Sequence, residues 1–147
     1  MSIISICQRN VVVVGSYYVV FATRYKRKLF EGVYGERLEA LIREYCGEHD
    51  VEIVTLSIYP DHVRMRVCLP YEQGIHRFVA LLKRFVAPIF KSEFPEVFKK
   101  VPSLWHTSCL VILSEQVPDV IVENYLSALS TSQRSKPLDE GRLFKYL

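Results

Sequence analysis

The segment between Val51 and Leu69 constrains the fold most strongly, because its pattern predicts a β-hairpin. Two runs rich in β-branched residues, Val51–Tyr59 and His62–Leu69, flank the pair Pro60-Asp61, which is typical of a turn. Side chains alternate along the second run, so that Val63, Met65, Val67 and Leu69 share one face while His62, Arg64, Arg66 and Cys68 share the other. We therefore expect one face of this strand to pack on a core and the other to present an imidazole and two guanidinium groups.

The rest of the chain alternates between strand and helix patterns. A valine-rich run predicts a long first strand over Asn10–Thr23, and a similar run predicts a fourth strand over Leu104–Leu113. Apolar residues at helical spacing predict helices over Glu36–Cys46, Gln73–Phe90 and Pro118–Leu129. The order β-α-β-β-α-β-α indicates an α+β sandwich of the ferredoxin-like or RRM-like type. We expect a four-stranded antiparallel sheet with the first two helices on one face, plus a C-terminal helix that carries Tyr125.

The chain has 147 residues, of which 50% are hydrophobic, so we expect one domain with a substantial core over residues 1–130. Residues 131–147 begin with a run of Ser, Thr, Gln and Arg, which predicts a mobile tail. Four widely spaced cysteines are typical of reduced thiols. The first residues lack a secretory signal pattern and no apolar run is long enough to span a membrane, so we expect a cytoplasmic protein.

The clearest candidate for a binding surface is the segment Arg24-Tyr25-Lys26-Arg27-Lys28, where four cations surround one tyrosine at the end of the first predicted strand. Such a run is often a solvated edge. At the end of a strand it also suits contact with phosphates and stacking of bases. The net charge of +3 permits a nucleic-acid partner without requiring one, so both interpretations stay open.

Two motifs resemble the small single-tyrosine HUH transposases of bacterial and archaeal insertion sequences, the IS200-like family. The run from Tyr18 to Lys28 is similar to the family's "V-F-x-T-K/R-Y-R-R-K" segment, and the run from Tyr59 to Val67 contains most of its "P-D-H-hydrophobic-H" segment. Trp105 and Tyr125 correspond to the family's tryptophan before the fourth strand and its nucleophilic tyrosine on a late helix. The resemblance implies a homodimer that cuts and rejoins single-stranded or hairpin DNA through a 5′-phosphotyrosine link.

The resemblance also implies a Mg²⁺ or Mn²⁺ ion, held by two histidines one residue apart and often by a glutamine four residues after the tyrosine. His62 matches the first histidine, but Arg64 takes the place of the second, and Leu129 stands at the glutamine position. Arginine has no free lone pair and cannot bind a metal. We therefore expect His62 to be the remnant of an incomplete metal site. The guanidinium of Arg64 is expected to attract an anion such as phosphate instead.

Three functions remain open at this stage. The first is a transposase-like protein that binds single-stranded or hairpin DNA and whose metal-dependent cleavage is lost or weakened. The second is an active transposase in which Tyr125 is the nucleophile and Arg64 and Arg66 partly replace the metal. The third is a structural or regulatory dimer that does not bind DNA. The residues expected to act in catalysis are Tyr125, His62 and Arg64, and those expected to contact nucleic acid are Arg24, Lys26, Arg27, Lys28 and Arg66.

For two of these residues, an ordinary structural role is the alternative. His62 could be a hydrogen-bonded histidine at a turn, and Tyr125 could be a helix residue whose ring is buried.

Overall fold

The computed structural model describes residues 4–8, 11–14, 16–69, 73–113 and 115–131. The predicted mobile tail lies outside the described residues, apart from Thr131 at the end of the last helix. No helix in these ranges is long and apolar enough to cross a membrane.

The domain is built on a four-stranded antiparallel sheet with the strand order β4-β5-β3-β6. Its strands are β3 (Tyr17–Ala22), β4 (Glu52–Ile58), β5 (His62–Cys68) and β6 (Leu110–Ile112). Two further strands, β1 (Ile4–Gln8) and β2 (Val11–Val14), form a separate antiparallel pair. The predicted hairpin and the predicted antiparallel sheet are both confirmed.

Two helices, α1 (Val33–Glu48) and α2 (Ile75–Glu93), pack on one face of the sheet. Their apolar stripes meet the strand residues Val19, Phe21, Val63, Met65 and Val67 in one core, and all five of these side chains are fully buried. This arrangement confirms the predicted α+β sandwich with two helices on a common face. Helix α1 extends three residues before and two residues after its predicted bounds, whereas α2 begins two residues later and ends three residues later than predicted.

The third helix, α3 (Asp119–Thr131), packs on the opposite face of the sheet. A second apolar cluster lies between α3 and the strands β3 and β6; its buried members are Val20, Ala22, Leu110, Ile112, Ile121, Val122, Tyr125, Leu126 and Leu129. Val20 and Ala22 lie opposite Arg64 and His62 in the β3–β5 register, and residues that lie opposite each other share a face of the sheet. The helix that carries Tyr125 therefore covers the same face that carries His62 and Arg64.

Two predicted strands are longer than the observed ones. The expected strand Asn10–Thr23 is divided into β2 and β3. The β5 register ends near Tyr17, where Val67 lies opposite, so the valines before Tyr17 pair with β1 instead. The expected strand Leu104–Leu113 is reduced to β6 and a single bridge between Trp105 and Thr23.

The cysteine prediction is wrong at one position. Cys46 and Cys109 are free thiols, as expected, whereas Cys68 is disulfide-bonded. Sequence spacing alone carries no information about which thiols approach one another in the fold, and this explains the error.

Candidate functional site

The first candidate group lies where β5 begins, at the edge of the face that α3 covers. His62 is the first residue of β5, and only 6% of it is exposed. Its Nδ1 lies 2.6 Å from Oδ1 of Asp61, and its ring stacks on the ring of Tyr59 with 4.5 Å between centroids. The other carboxylate oxygen of Asp61 lies 3.6 Å from Nζ of Lys26. The carboxylate of Asp61, in the hairpin turn, therefore contacts both strand β5 and the basic segment.

Arg64 completes this group, which we call the His62 cluster (Lys26, Tyr59, Asp61, His62 and Arg64). Its Nε donates a hydrogen bond to Nε2 of His62 over 3.1 Å, and its guanidinium carbon lies 4.8 Å from the centroid of the Tyr59 ring. Because Nε2 accepts a bond, the proton of the neutral imidazole is on Nδ1, from which it is donated to Asp61. Burial lowers the pKa of His62, against the opposing effect of the Asp61 carboxylate, so the ring is neutral at pH 7.

The His62 cluster does not fit a tightly held divalent cation. Both ring nitrogens of His62 already have partners, and the lone pair on Nε2 that a metal would need accepts the Arg64 bond. A guanidinium also repels a cation at this position. Among the described residues, no group of three or more His, Cys, Asp or Glu side chains could hold a metal ion. Leu129, at the expected glutamine position, is 2% exposed and packs in the apolar cluster under α3.

The basic segment forms a tight turn directly after β3. Thr23 fastens this turn to the hairpin, because its amide donates to the carbonyl of Asp61 and its hydroxyl donates to the carbonyl of Arg27. Tyr25 and Lys26 both have positive φ angles, 62° and 50°, so the chain reverses direction there. Tyr25 is 45% exposed, and the guanidinium of Arg24 lies 5.5 Å from its ring centroid. The turn therefore presents an aromatic ring beside a cation.

The residues expected to contact nucleic acid have different surroundings. Arg27 donates to the carbonyls of Arg24, Val97 and Ser103, and so fastens the turn to the loop that precedes β6. Arg66 is buried, donates to the Ser16 hydroxyl and the Glu115 carbonyl, and lies over the Tyr18 ring. Lys26 pairs with Asp61. Arg24 and Lys28 have no such hydrogen bond or ion pair within the described ranges, so they are the cations of this set best placed to contact a partner.

Tyr125 lies on the same face of the sheet as His62, but among the described residues its hydroxyl bonds to Ser108 and not to the His62 cluster. Its side chain is fully buried, and its hydroxyl lies 2.8 Å from the hydroxyl of Ser108. Ser108 Oγ lies 2.9 Å from Nδ1 of His106, which also accepts the Ser108 amide bond. Burial raises the pKa of Tyr125, and the Ser108 hydrogen bond opposes that rise only in part. The phenol is therefore neutral at pH 7 and enclosed in this arrangement.

Sequence reasoning missed Lys83, His106 and Ser108. The amine of Lys83 donates to the carbonyls of His106 and Ser108, over 2.8 Å and 2.9 Å, and holds the loop before β6 against α2. These bonds tie the loop between the Trp105 bridge and β6 to α2. Burial lowers the pKa of Lys83 to about 8. Its position inside the apolar stripe of α2, between Leu82 and Val86, is the sequence signal that could have identified it.

A ferredoxin-like sheet, a basic turn after β3, a histidine at the start of β5 and a tyrosine on a helix that packs on the same face of the sheet are together typical of a class of transposase. Residues 11–128 match the family described as "Transposase IS200 like". The chain therefore belongs to the IS200-like transposase family, and the resemblance inferred from the motifs is confirmed.

Two relatives place the chain within this family. It is 26% identical to the ISDra2 transposase TnpA of Deinococcus radiodurans over 102 residues, which is 67% of this chain and 73% of that protein. It is 28% identical to the transposase for insertion sequence element IS200 of Salmonella typhimurium over 67 residues, which is 46% of this chain and 44% of that protein. The match to the Salmonella protein thus spans less than half of its length.

Two solved structures share the fold. A crystal structure assigned to a transposase of Deinococcus radiodurans R1 superposes with a TM-score of 0.76 at 22% identity, covering 83% of this chain and 95% of that one. A REP-associated tyrosine transposase bound to a REP hairpin superposes with a TM-score of 0.50 at 14% identity, covering 83% of this chain and 71% of that one. At these identities the likeness establishes the fold.

Proposed function

We propose that this protein binds single-stranded DNA that contains a hairpin, and that its metal-dependent cleavage is lost or weakened. The observation that carries the second part is the hydrogen bond from Arg64 Nε to His62 Nε2, because it occupies the lone pair that a metal would use. The first part is supported by family membership and by the cations and exposed rings that surround this site.

Binding is proposed to occur at the edge where β3 ends and β5 begins. Arg24 and Lys28 supply charges without a partner in the described part of the chain, and Tyr25 and Tyr59 supply rings that are 45% and 38% exposed. Cations attract the phosphate backbone, and exposed aromatic rings stack on unpaired bases. A protein with the same fold has been solved bound to a REP hairpin, which supports this choice of partner.

Cleavage would require Tyr125 to lose its proton and attack a phosphodiester. The buried phenol has a raised pKa and is hydrogen-bonded to Ser108. Ser108 precedes β6, which flanks β3 on the side away from β5 and the His62 cluster. A neutral phenol is a poor nucleophile, and attack on an anionic phosphate needs nearby positive charge. This arrangement supports binding without efficient cleavage. An active transposase, the alternative, would need α3 to leave its present position, and Arg66 would have to give up its bonds to Ser16 and Glu115.

The family resemblance also leads us to propose a homodimer. Light scattering at several protein concentrations tests this proposal, with a mass twice that of the 17.1 kDa chain as the expected result. A constant monomer mass would contradict it.

The test of the proposed function uses a labelled single-stranded oligonucleotide that carries a hairpin, incubated with manganese. We expect its fluorescence anisotropy to rise on addition of the protein at low salt, and a denaturing gel to show no covalent protein–DNA adduct. Arg24→Ala together with Lys28→Ala should weaken binding and flatten its salt dependence, because counterion release falls with each lost phosphate contact. Arg84→Ala is the matched control, since this exposed arginine lies on α2 on the other side of the sheet.

Two outcomes would contradict the proposal. An adduct formed by the wild type and absent in Tyr125→Phe would show that cleavage survives and would establish the alternative. Failure to bind the oligonucleotide at low salt would favour a structural or regulatory protein that does not act on DNA.

A further inference from the structure

We propose that Arg64 is a binding site for a single DNA backbone phosphate, and that His62 is the positioning residue that orients its guanidinium. The inference rests on the proposed function, because it assigns a ligand to the site where that function places the DNA. It gives His62 a role that needs no metal.

The guanidinium of Arg64 is held from two directions. His62 accepts the bond from Nε, and the Tyr59 ring lies against the guanidinium carbon. His62 is itself fixed by Asp61 and by stacking on Tyr59, with an angle of 3° between the two ring planes. An arginine side chain normally loses much rotamer freedom when it binds a ligand. Here the neighbouring side chains have already restricted that freedom.

The charge of Arg64 is not neutralised within the cluster. Asp61 is the cluster's one carboxylate; it accepts from His62 and pairs with Lys26, and no described carboxylate forms an ion pair with Arg64. Only Nε of Arg64 has a hydrogen-bond partner among the described residues, so the donors on both terminal nitrogens remain for a ligand. The His62 cluster therefore has a net charge of one positive unit, on Arg64, and the terminal nitrogens of Arg64 have no hydrogen-bond acceptor among the described residues. Such a site is suited to an anion.

The shape and surroundings of the site favour a phosphodiester. Two terminal nitrogens of a planar guanidinium match two phosphate oxygens in a bidentate contact. The site is also continuous with the basic turn, since Asp61 is joined to Thr23 through backbone and hydroxyl hydrogen bonds. A DNA strand bound at Arg24 and Tyr25 would therefore extend toward Arg64. A half-exposed tyrosine beside the arginine provides a surface for the neighbouring base.

The test measures the affinity of the full chain for hairpin DNA at several salt concentrations. Arg64→Ala should raise Kd about tenfold and make the salt slope shallower by about the amount expected for one phosphate. His62→Ala should raise Kd in the same direction, yet the double variant should bind no more weakly than Arg64→Ala alone, since His62 acts through Arg64. His62→Gln should restore most of the affinity, because its Oε1 can accept the Arg64 bond. Arg84→Ala is the control for loss of one arginine.

A second readout stays informative where a variant folds poorly. Neutral methylphosphonate placed at successive positions in the oligonucleotide should weaken wild-type binding at the phosphates that contact Arg24, Lys28 and Arg64. In Arg64→Ala the effect should disappear at one of these positions and stay at the others. Wild-type affinity that is equal to that of Arg64→Ala would overturn the inference while the proposed function stands. Failure of the wild type to bind DNA would overturn both.

A final arm uses inorganic phosphate alone and follows the Nε–H signal of Arg64 by NMR. Millimolar phosphate should shift this signal only slightly, and hairpin DNA should shift it strongly. A strong shift with phosphate and none with DNA would assign the site to a free anion and contradict its assignment to DNA.

Discussion

At position 64, an arginine stands where the family resemblance implies a second metal-binding histidine. This arginine determines the hydrogen bonds of the neighbouring His62. The guanidinium brings a positive charge and donors where a lone pair is implied, so the remaining histidine accepts a bond from Arg64. Asp61 then fixes the tautomer from the other side. Under the proposal made above, this position suits an anion instead of the cation that the resemblance implies.

Lys83 gives a residue-scale prediction about pH. Burial lowers its pKa to about 8, against about 10.4 in an unfolded chain. The unfolded chain therefore binds more protons between these values, and the contribution of Lys83 to stability rises with pH there and is lost as the pH falls through about 8. The free energy of unfolding, measured in urea at pH 7, 8 and 9, should rise with pH in the wild type relative to Lys83→Met.

The comparison of the wild type with Lys83→Met does not extend above pH 9. Burial raises the pKa of the Cys109 thiol, so the contribution of Cys109 to the free energy of unfolding is lost as the pH rises above the ordinary thiol pKa. In that range this loss opposes the gain from Lys83. Lys91→Met, at an exposed position on α2, is the control. Identical pH slopes in the wild type and Lys83→Met would contradict the prediction.

Tyr125 gives a second prediction, on stability. Tyr125→Phe removes one hydroxyl bond to Ser108 and should cost about 1 kcal/mol of unfolding free energy. Tyr125→Ala also removes a fully buried ring and should cost about 3–5 kcal/mol. Urea denaturation of the two variants checks this. Equal, small losses would show that the ring is not buried in solution and that α3 is docked elsewhere.

At the scale of elements, Arg27 connects two segments that are far apart in sequence. Its guanidinium donates to the carbonyls of Val97 and Ser103, and so the turn after β3 depends on the loop after α2. Arg27→Ala should therefore lower the free energy of unfolding by about 1–3 kcal/mol. The exposed neighbour Lys28 makes no such bond within the described ranges, and Lys28→Ala should change stability by less than about 0.5 kcal/mol. Thermal and urea unfolding would contradict this assignment if the two variants lost the same amount.

The elements show where sequence patterns suffice. The hairpin and the helices were predictable because alternation and helical spacing report directly on which side chains are buried. The division between β2 and β3 could not be predicted from the sequence, because it depends on where the partner strand β5 ends. The loop before β6 is bound by Lys83, a residue of the distant helix α2, and the pattern of the segment Leu104–Leu113 does not report this contact. Both errors come from contacts between segments that a local pattern does not report.

At the scale of the whole molecule, the sheet is covered on both faces. Helices α1 and α2 cover one, and α3 covers part of the other, beside the strand end that carries the His62 cluster. The sequence predicts that the cations of this edge act together, but it does not distinguish their surroundings. Arg27 and Arg66 were grouped with Arg24 and Lys28 because all four are cations. Only the hydrogen bonds separate those that hold loops from those available to a ligand.

Manganese binding by calorimetry tests the central claim, that Arg64 has replaced the metal site, most directly. The wild type should give no binding heat at micromolar manganese, and Arg64→His should gain binding because it restores two imidazoles one residue apart on β5. Leu129→Gln is added only as a second step, because it places an amide in the apolar cluster under α3. Micromolar binding by the wild type that is lost in His62→Ala would contradict the account, since it would mean that His62 Nε2 is available to a metal.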